Sequence, residues 1–105
     1  MNIVEITLPG DWNNEKIRNF ISLNMGSAAC VHRYKIISSY QWKGEIVDEE
    51  EWMVRIKIPK NRLKELVNKI NDTHPYDIPM INILKGDFNE KYEKWAENSR
   101  IDNLG

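Results

Sequence analysis

The sequence predicts a single α+β domain in which one antiparallel sheet carries helices on one of its faces. Three observations lead there. Residues 52–58 alternate strictly, with Trp52, Val54, Ile56 and Ile58 on one side and Met53, Arg55 and Lys57 on the other, which is the period of a strand. Two stretches place apolar residues at helical spacing: Ile17, Phe20, Ile21 and Met25, then Leu63, Leu66, Val67 and Ile70. The length, 105 residues, suffices for one core and not for two.

Taken in order, residues 3–8 are apolar and β-prone and end at Pro9-Gly10, a strand followed by a turn. The first helix covers 14–25 and is stopped by Gly26-Ser27. Residues 28–31 open an extended stretch that continues through Tyr40 and Trp42 to a turn at Lys43-Gly44-Glu45. The chain returns through Ile46-Val47 and the acidic run 48–51 into the strand 52–58. These hairpin arms exceed the usual strand of about five or six residues. They are therefore expected to project beyond the helices, leaving Tyr40, Trp42 and Met53 to be covered by a second copy of the chain.

Pro59 closes the strand and the second helix follows. In the segment 74–83, Pro75 and Pro79 remove two amide donors and push His74 and Ile78 towards extended geometry. The segment reads as a stiff bridge from that helix into a strand at 80–84. Gly86-Asp87 reads as a turn, and Phe88, Tyr92, Trp95, Ala96 and Ser99 make a third, aromatic helical stripe. The tail 101–105 is expected to fray. The order is β-α-β-β-α-β with an extra C-terminal helix, the split-βαβ or ferredoxin-like arrangement, in one domain over 1–105.

Composition narrows the function. Hydrophobic residues are 41%, charged residues 30% and the net charge is −1, as in soluble globular proteins. Without a basic stripe, nucleic acid is not an expected partner. No apolar run nears the roughly 20 residues of a membrane helix, and no signal-peptide pattern opens the chain. The single cysteine, Cys30, excludes an internal disulfide and fits a reducing, cytoplasmic setting. Phosphate-loop, serine-nucleophile and paired-histidine motifs are all missing, so no catalysis is expected.

The candidate chemistry is that of binding. Cys30 and His32 share one face of a strand, ~6.6 Å apart, where thiol and imidazole suit copper or zinc but supply only two donors. The alternative is a buried apolar cysteine beside a surface histidine. His74 suits a ligand or proton carrier, or an anchor on a helix-end carbonyl; Tyr76 and Asp77 read as latch residues. Tyr40, Trp42 and Trp95 suit a cation or flat ligand, or an aromatic subunit interface. Lys57 suits an anion or a salt bridge. The acidic run 48–51 lacks calcium-loop spacing and reads as a solvated edge.

Several strings, in order and in spacing, resemble the CutA divalent-cation tolerance family: Ala28-Ala29-Cys30-Val31, then Tyr40-Gln41-Trp42-Lys43-Gly44, Ile56-Lys57, His74-Pro75-Tyr76-Asp77-Ile78-Pro79, and Tyr92 with Trp95. The resemblance spans about residues 3–99. It implies a homotrimer of ferredoxin-like subunits related in architecture to PII signalling proteins, and tolerance of divalent cations, copper especially. The positions matching the family's inter-subunit cleft motif are Cys30, Tyr40, Trp42, Lys57, His74 and Tyr76. Two departures stand out: His32 where the family has Asn, and Met80 where it has Glu, which removes any carboxylate role there. The expected ligand is thus a divalent metal, Cu or Zn, with Cys30, His32 and His74 as donors and Tyr40, Trp42, Lys57 and Tyr76 lining the cleft. Alternatives are a PII-like signalling module that takes a small anion and a target protein, or a structural trimeric hub.

Overall fold

The structure is a computed structural model that describes residues 1–103. Its elements are β1 (Asn2–Pro9), α1 (Asn14–Asn24), β2 (Cys30–Trp42), β3 (Glu45–Ile58), α2 (Leu63–Thr73), β4 (Asn82–Lys85) and α3 (Glu90–Glu97), with a 3-10 turn at Lys60–Arg62 before α2. The strands form one sheet in the order β2-β3-β1-β4, and every neighbouring pair is antiparallel. This is the expected ferredoxin-like arrangement with an added helix.

The pleat sorts the side chains. Val4, Ile6 and Leu8 of β1 and Trp52, Val54, Ile56 and Ile58 of β3 turn to one face and are buried. Ile17 and Ile21 of α1 and Leu66 and Ile70 of α2 complete the same core. Fully burying each such side chain contributes about 1.5–3 kcal/mol, which fixes the helices on this face. Local signals set the helix start: the Asn13 side chain accepts from the Lys16 amide at 2.8 Å, satisfying a donor that the first turn leaves free. Trp52 keeps its polar edge satisfied by donating to the Trp12 carbonyl at 2.9 Å.

Several boundaries differ from the sequence expectation, each for a structural reason. β2 opens at Cys30 rather than at Ala28; Ala28 and Ala29 are buried, and Ala29 N–H bonds the Lys57 carbonyl at 2.9 Å. β4 begins at Asn82 rather than at Met80, because the His74 imidazole holds the β1 carbonyl that residue 80 would bond if the ladder continued. α3 covers Glu90–Glu97 only; at its C-terminal end Arg62 of the 3-10 turn clasps the carbonyls of Ala96, in its last turn, and Ser99, just past it, at 3.0 and 2.7 Å. The tail is anchored as far as it is described: Ile101 N–H bonds Ala28 at 2.9 Å and Asp102 N–H bonds Gly26 at 3.1 Å. Residues 104–105 lie outside the described residues.

β1 pairs with β3 only as far as Pro9↔Glu51, whereas β2 and β3 stay paired out to Trp42↔Glu45. From Ile37↔Glu50 outward the hairpin is therefore a free two-stranded ribbon. Its turn is Lys43-Gly44, with φ of 50° and 83°, the left-handed pair that a tight two-residue hairpin needs.

Candidate functional site

The face of the sheet opposite α1 and α2 carries the chemistry. By register, Cys30, His32, Tyr40 and Trp42 of β2 and Lys57 of β3 all project from it, as do Glu49, Glu51 and Arg55 of β3. The structure nevertheless divides the expected site residues into two groups, one at the middle of β3 and one at its C-terminal end. Glu51 and Lys57 mark these places, six residues and about 20 Å apart along the strand.

The first group surrounds Glu51. His74 caps the end of α2 and sends its side chain to β1, where Nε2–H donates to the Thr7 carbonyl at 2.8 Å. Nδ1 accepts the Tyr76 amide at 3.0 Å. A carbonyl can only accept and an amide N–H can only donate, so the imidazole is neutral with its proton on Nε2. Burial holds its pKa below the ordinary value, against the Thr7 hydrogen bond and the Glu51 carboxylate, which raise it. With both nitrogens engaged, His74 offers no lone pair to a metal in this arrangement. The carbonyl it anchors lies on β1, not at the helix end as the sequence suggested.

Tyr76 then donates its hydroxyl to Glu51 at 2.8 Å. Burial first, and the Glu51 hydrogen bond second, push its phenol far up. Glu51 itself is only 8% exposed and has no cationic partner among the described residues. Glu49, two residues along the same face, accepts the Tyr40 hydroxyl at 2.7 Å, which raises the Tyr40 pKa. Tyr76 thus acts as a latch. Asp77 is exposed and makes no side-chain hydrogen bond or ion pair among the described residues. Trp42 sits apart at the ribbon tip under the Lys43 ammonium, 5.9 Å from its ring centroid.

The second group surrounds Lys57, which is only 7% exposed. Its ammonium meets Nδ1 of His32, and Cys30 is its direct cross-strand partner. Burial lowers the Lys57 pKa. Burial, then Lys57, then Arg55 lower that of His32. Tyr92 of α3 lies against the Cys30 thiol, and burial followed by that thiol raises its pKa. Arg55 pairs with Glu5 at 3.0 Å. The expected salt bridge of Lys57 is not formed within the described residues.

For metal binding, Cys30 and His32 do share a face, but Lys57 holds the His32 Nδ1 lone pair and Arg55 adds a second positive charge. His74 lies beside β1, two strands from β2, so one chain does not bring these three donors together. No group of three or more His, Cys, Asp or Glu able to hold a metal occurs among the described residues. Sequence reasoning passed over Glu51 and Tyr92. Extending the alternation of 52–58 back by one residue would have placed Glu51 with Met53, Arg55 and Lys57. Nothing in the sequence brings Tyr92 to Cys30.

Fold and face together define a ferredoxin-like domain that carries its polar chemistry on the sheet face opposite α1 and α2. The crystal structure of Pyrococcus horikoshii CutA in guanidine hydrochloride superposes with a TM-score of 0.81 at 31% identity, over 95% of this chain and 99% of that one. The PII-like protein CutA from Nostoc sp. PCC 7120, in apo form, superposes with a TM-score of 0.77 at 27% identity, over 91% and 93%. The divalent-cation tolerance protein CutA of Thermotoga maritima is 38% identical over 72 residues, 68% of this chain and 71% of that protein. The model of the CutA1 divalent ion tolerance protein family matches residues 2–99, and the chain belongs to that family.

Proposed function

We propose that this chain works as a homotrimer that takes divalent cations, copper among them, into clefts between its subunits, by binding and not by turnover. The carrying observation is Glu51, a carboxylate 8% exposed whose one polar side-chain contact among the described residues is a tyrosine hydroxyl. A buried carboxylate without a positive partner is costly, and a cation at the cleft supplies that charge. Glu49 offers a second carboxylate on the same face. Two carboxylates fall short of the usual three or four protein donors, so a neighbouring subunit completes the set. His74 serves this site by holding Tyr76 in place. Cys30 and His32 are the poorer choice, since a cation there would meet Lys57 and Arg55.

The free ribbon supports the assembly. Ile37, Trp42 and Ile46 are 73%, 61% and 82% exposed on it, and a two-stranded hairpin alone is marginal in water. No helix among the described residues is long and apolar enough to cross a membrane. The lone thiol supports a reducing, cytoplasmic setting.

Titration calorimetry of the metal-free protein with Cu(II) and Zn(II) tests the cation site. Saturable binding that is lost in Glu51→Gln is expected; equal binding by that variant would sink it. Sedimentation tests the assembly: three times the 12.4 kDa of one chain is expected, and a mass near one chain removes the clefts.

A further inference from the structure

We infer that the groove between α1 and α2, on the helix side of the sheet, docks a partner protein through a segment that presents a lysine or arginine beside an apolar side chain. The groove has a volume of about 490 Å³ and runs between the last turn of α1, the Gly26-Ser27 corner and residues 65–72 of α2. Its walls call for a cationic donor in three ways. The carbonyls of Ser22, Leu23 and Asn24 end α1 and accept no hydrogen bond among the described residues, and that last turn holds no basic residue to offset them. Ser27 lines the groove and is only 4% exposed, yet its hydroxyl makes no hydrogen bond among the described residues. A polar group so placed needs a partner.

The third feature is Asp72. It has no cationic partner among the described residues and stands in the last turn of α2, where a carboxylate opposes the helix dipole. Stability gives no reason for an acid there; a cation brought by a partner does. The other carboxylates of the groove, Glu65 and Asp102, are both held by Arg100 at 2.8 Å, which fastens the tail as one wall and leaves Asp72 available. Against these three acids the lining sets only the ammonium of Lys69. Leu23 decides what carries the cation. It is 74% exposed on the groove wall, and a metal ion or a polyamine would leave it in water, whereas a peptide segment covers it. The groove shares no residue with the cation cleft, so the two readings stand or fall separately.

A synthetic amphipathic peptide of leucine and lysine, and its counterpart with glutamate for lysine, test the inference by NMR titration of the isotope-labelled full-length protein at fixed ionic strength. Saturable binding of the basic peptide alone is expected, with amide shifts centred on residues 22–27 and 65–72. Asp72→Lys should weaken it about tenfold or more while keeping or raising the unfolding temperature, since a positive side chain suits the end of α2. Leu23→Ser should weaken it by a smaller factor, and Glu51→Gln should leave it unchanged. No binding, equal binding by Asp72→Lys, or shifts centred on the open sheet face or the ribbon would overturn the docking site. Spermidine bound as tightly as the peptide would make the groove a small-cation site instead. A lowered sedimentation mass for Leu23→Ser would make it a contact between copies of this chain, and either result overturns the inference.

Discussion

His74 holds the carbonyl of Thr7 at 2.8 Å, across 67 positions of sequence. It does so at the point where the β1–β4 ladder stops: Glu5↔Asn82 is the last pair, and residue 80 would face Thr7 if the register ran on. An imidazole thus stands in for a strand amide, and its second nitrogen fastens Tyr76. Removing it strands two backbone groups. His74→Ala is expected to cost about 1–3 kcal/mol, read from denaturant unfolding, whereas Asp77→Ala should change little. Equal effects of the two variants would contradict the latch.

The same imidazole makes stability depend on pH. Its folded pKa lies below the ordinary 6.5, chiefly through burial, and protonating Nδ1 would set a charge against the Tyr76 N–H. The unfolded chain then binds the proton more tightly than the native one. The contribution is complete above about 6.5 and is lost as pH falls from there towards the lower folded value. His32 is shifted in the same direction, again by burial first. Thermal unfolding should therefore fall on acidification through this window, and less steeply in His74→Phe. An unchanged slope in that variant would exclude His74 as the source.

The hairpin ribbon gives a prediction about assembly. Trp42 and Ile46 are exposed at 61% and 82% on strands with no third partner. Replacing both with serine should leave the monomer's fold intact by circular dichroism and lower the sedimentation mass. A variant of unchanged mass would place the subunit contact elsewhere.

Arg62 fixes the added helix. Its guanidinium reaches the carbonyls of Ala96 and Ser99 at 3.0 and 2.7 Å, satisfying groups that the end of α3 leaves free. Arg62→Met should destabilise the protein by about 1–3 kcal/mol and speed hydrogen exchange in α3 before the sheet.

Much of this was legible in the residues themselves. The alternation of 52–58, the two helical stripes and the paired prolines at 75 and 79 set the element order, because strand and helix periods are local properties. The excess hairpin length and the exposed Trp42 were legible for the same reason. Side-chain partners were not. That His74 serves Thr7, that Tyr76 serves Glu51, and that α3 carries Tyr92 to Cys30 follow from how distant segments meet.

The sequence by itself determined the fold class and the family. Only the tertiary structure decided how the polar residues group, an acidic cluster at Glu51 and a basic one at Lys57. The physical reason is that register and pleat choose the face of each side chain, while strand order sets the distance between them. Cys30 and His74 therefore look like partners in a string of residues, yet lie two strands apart in the sheet.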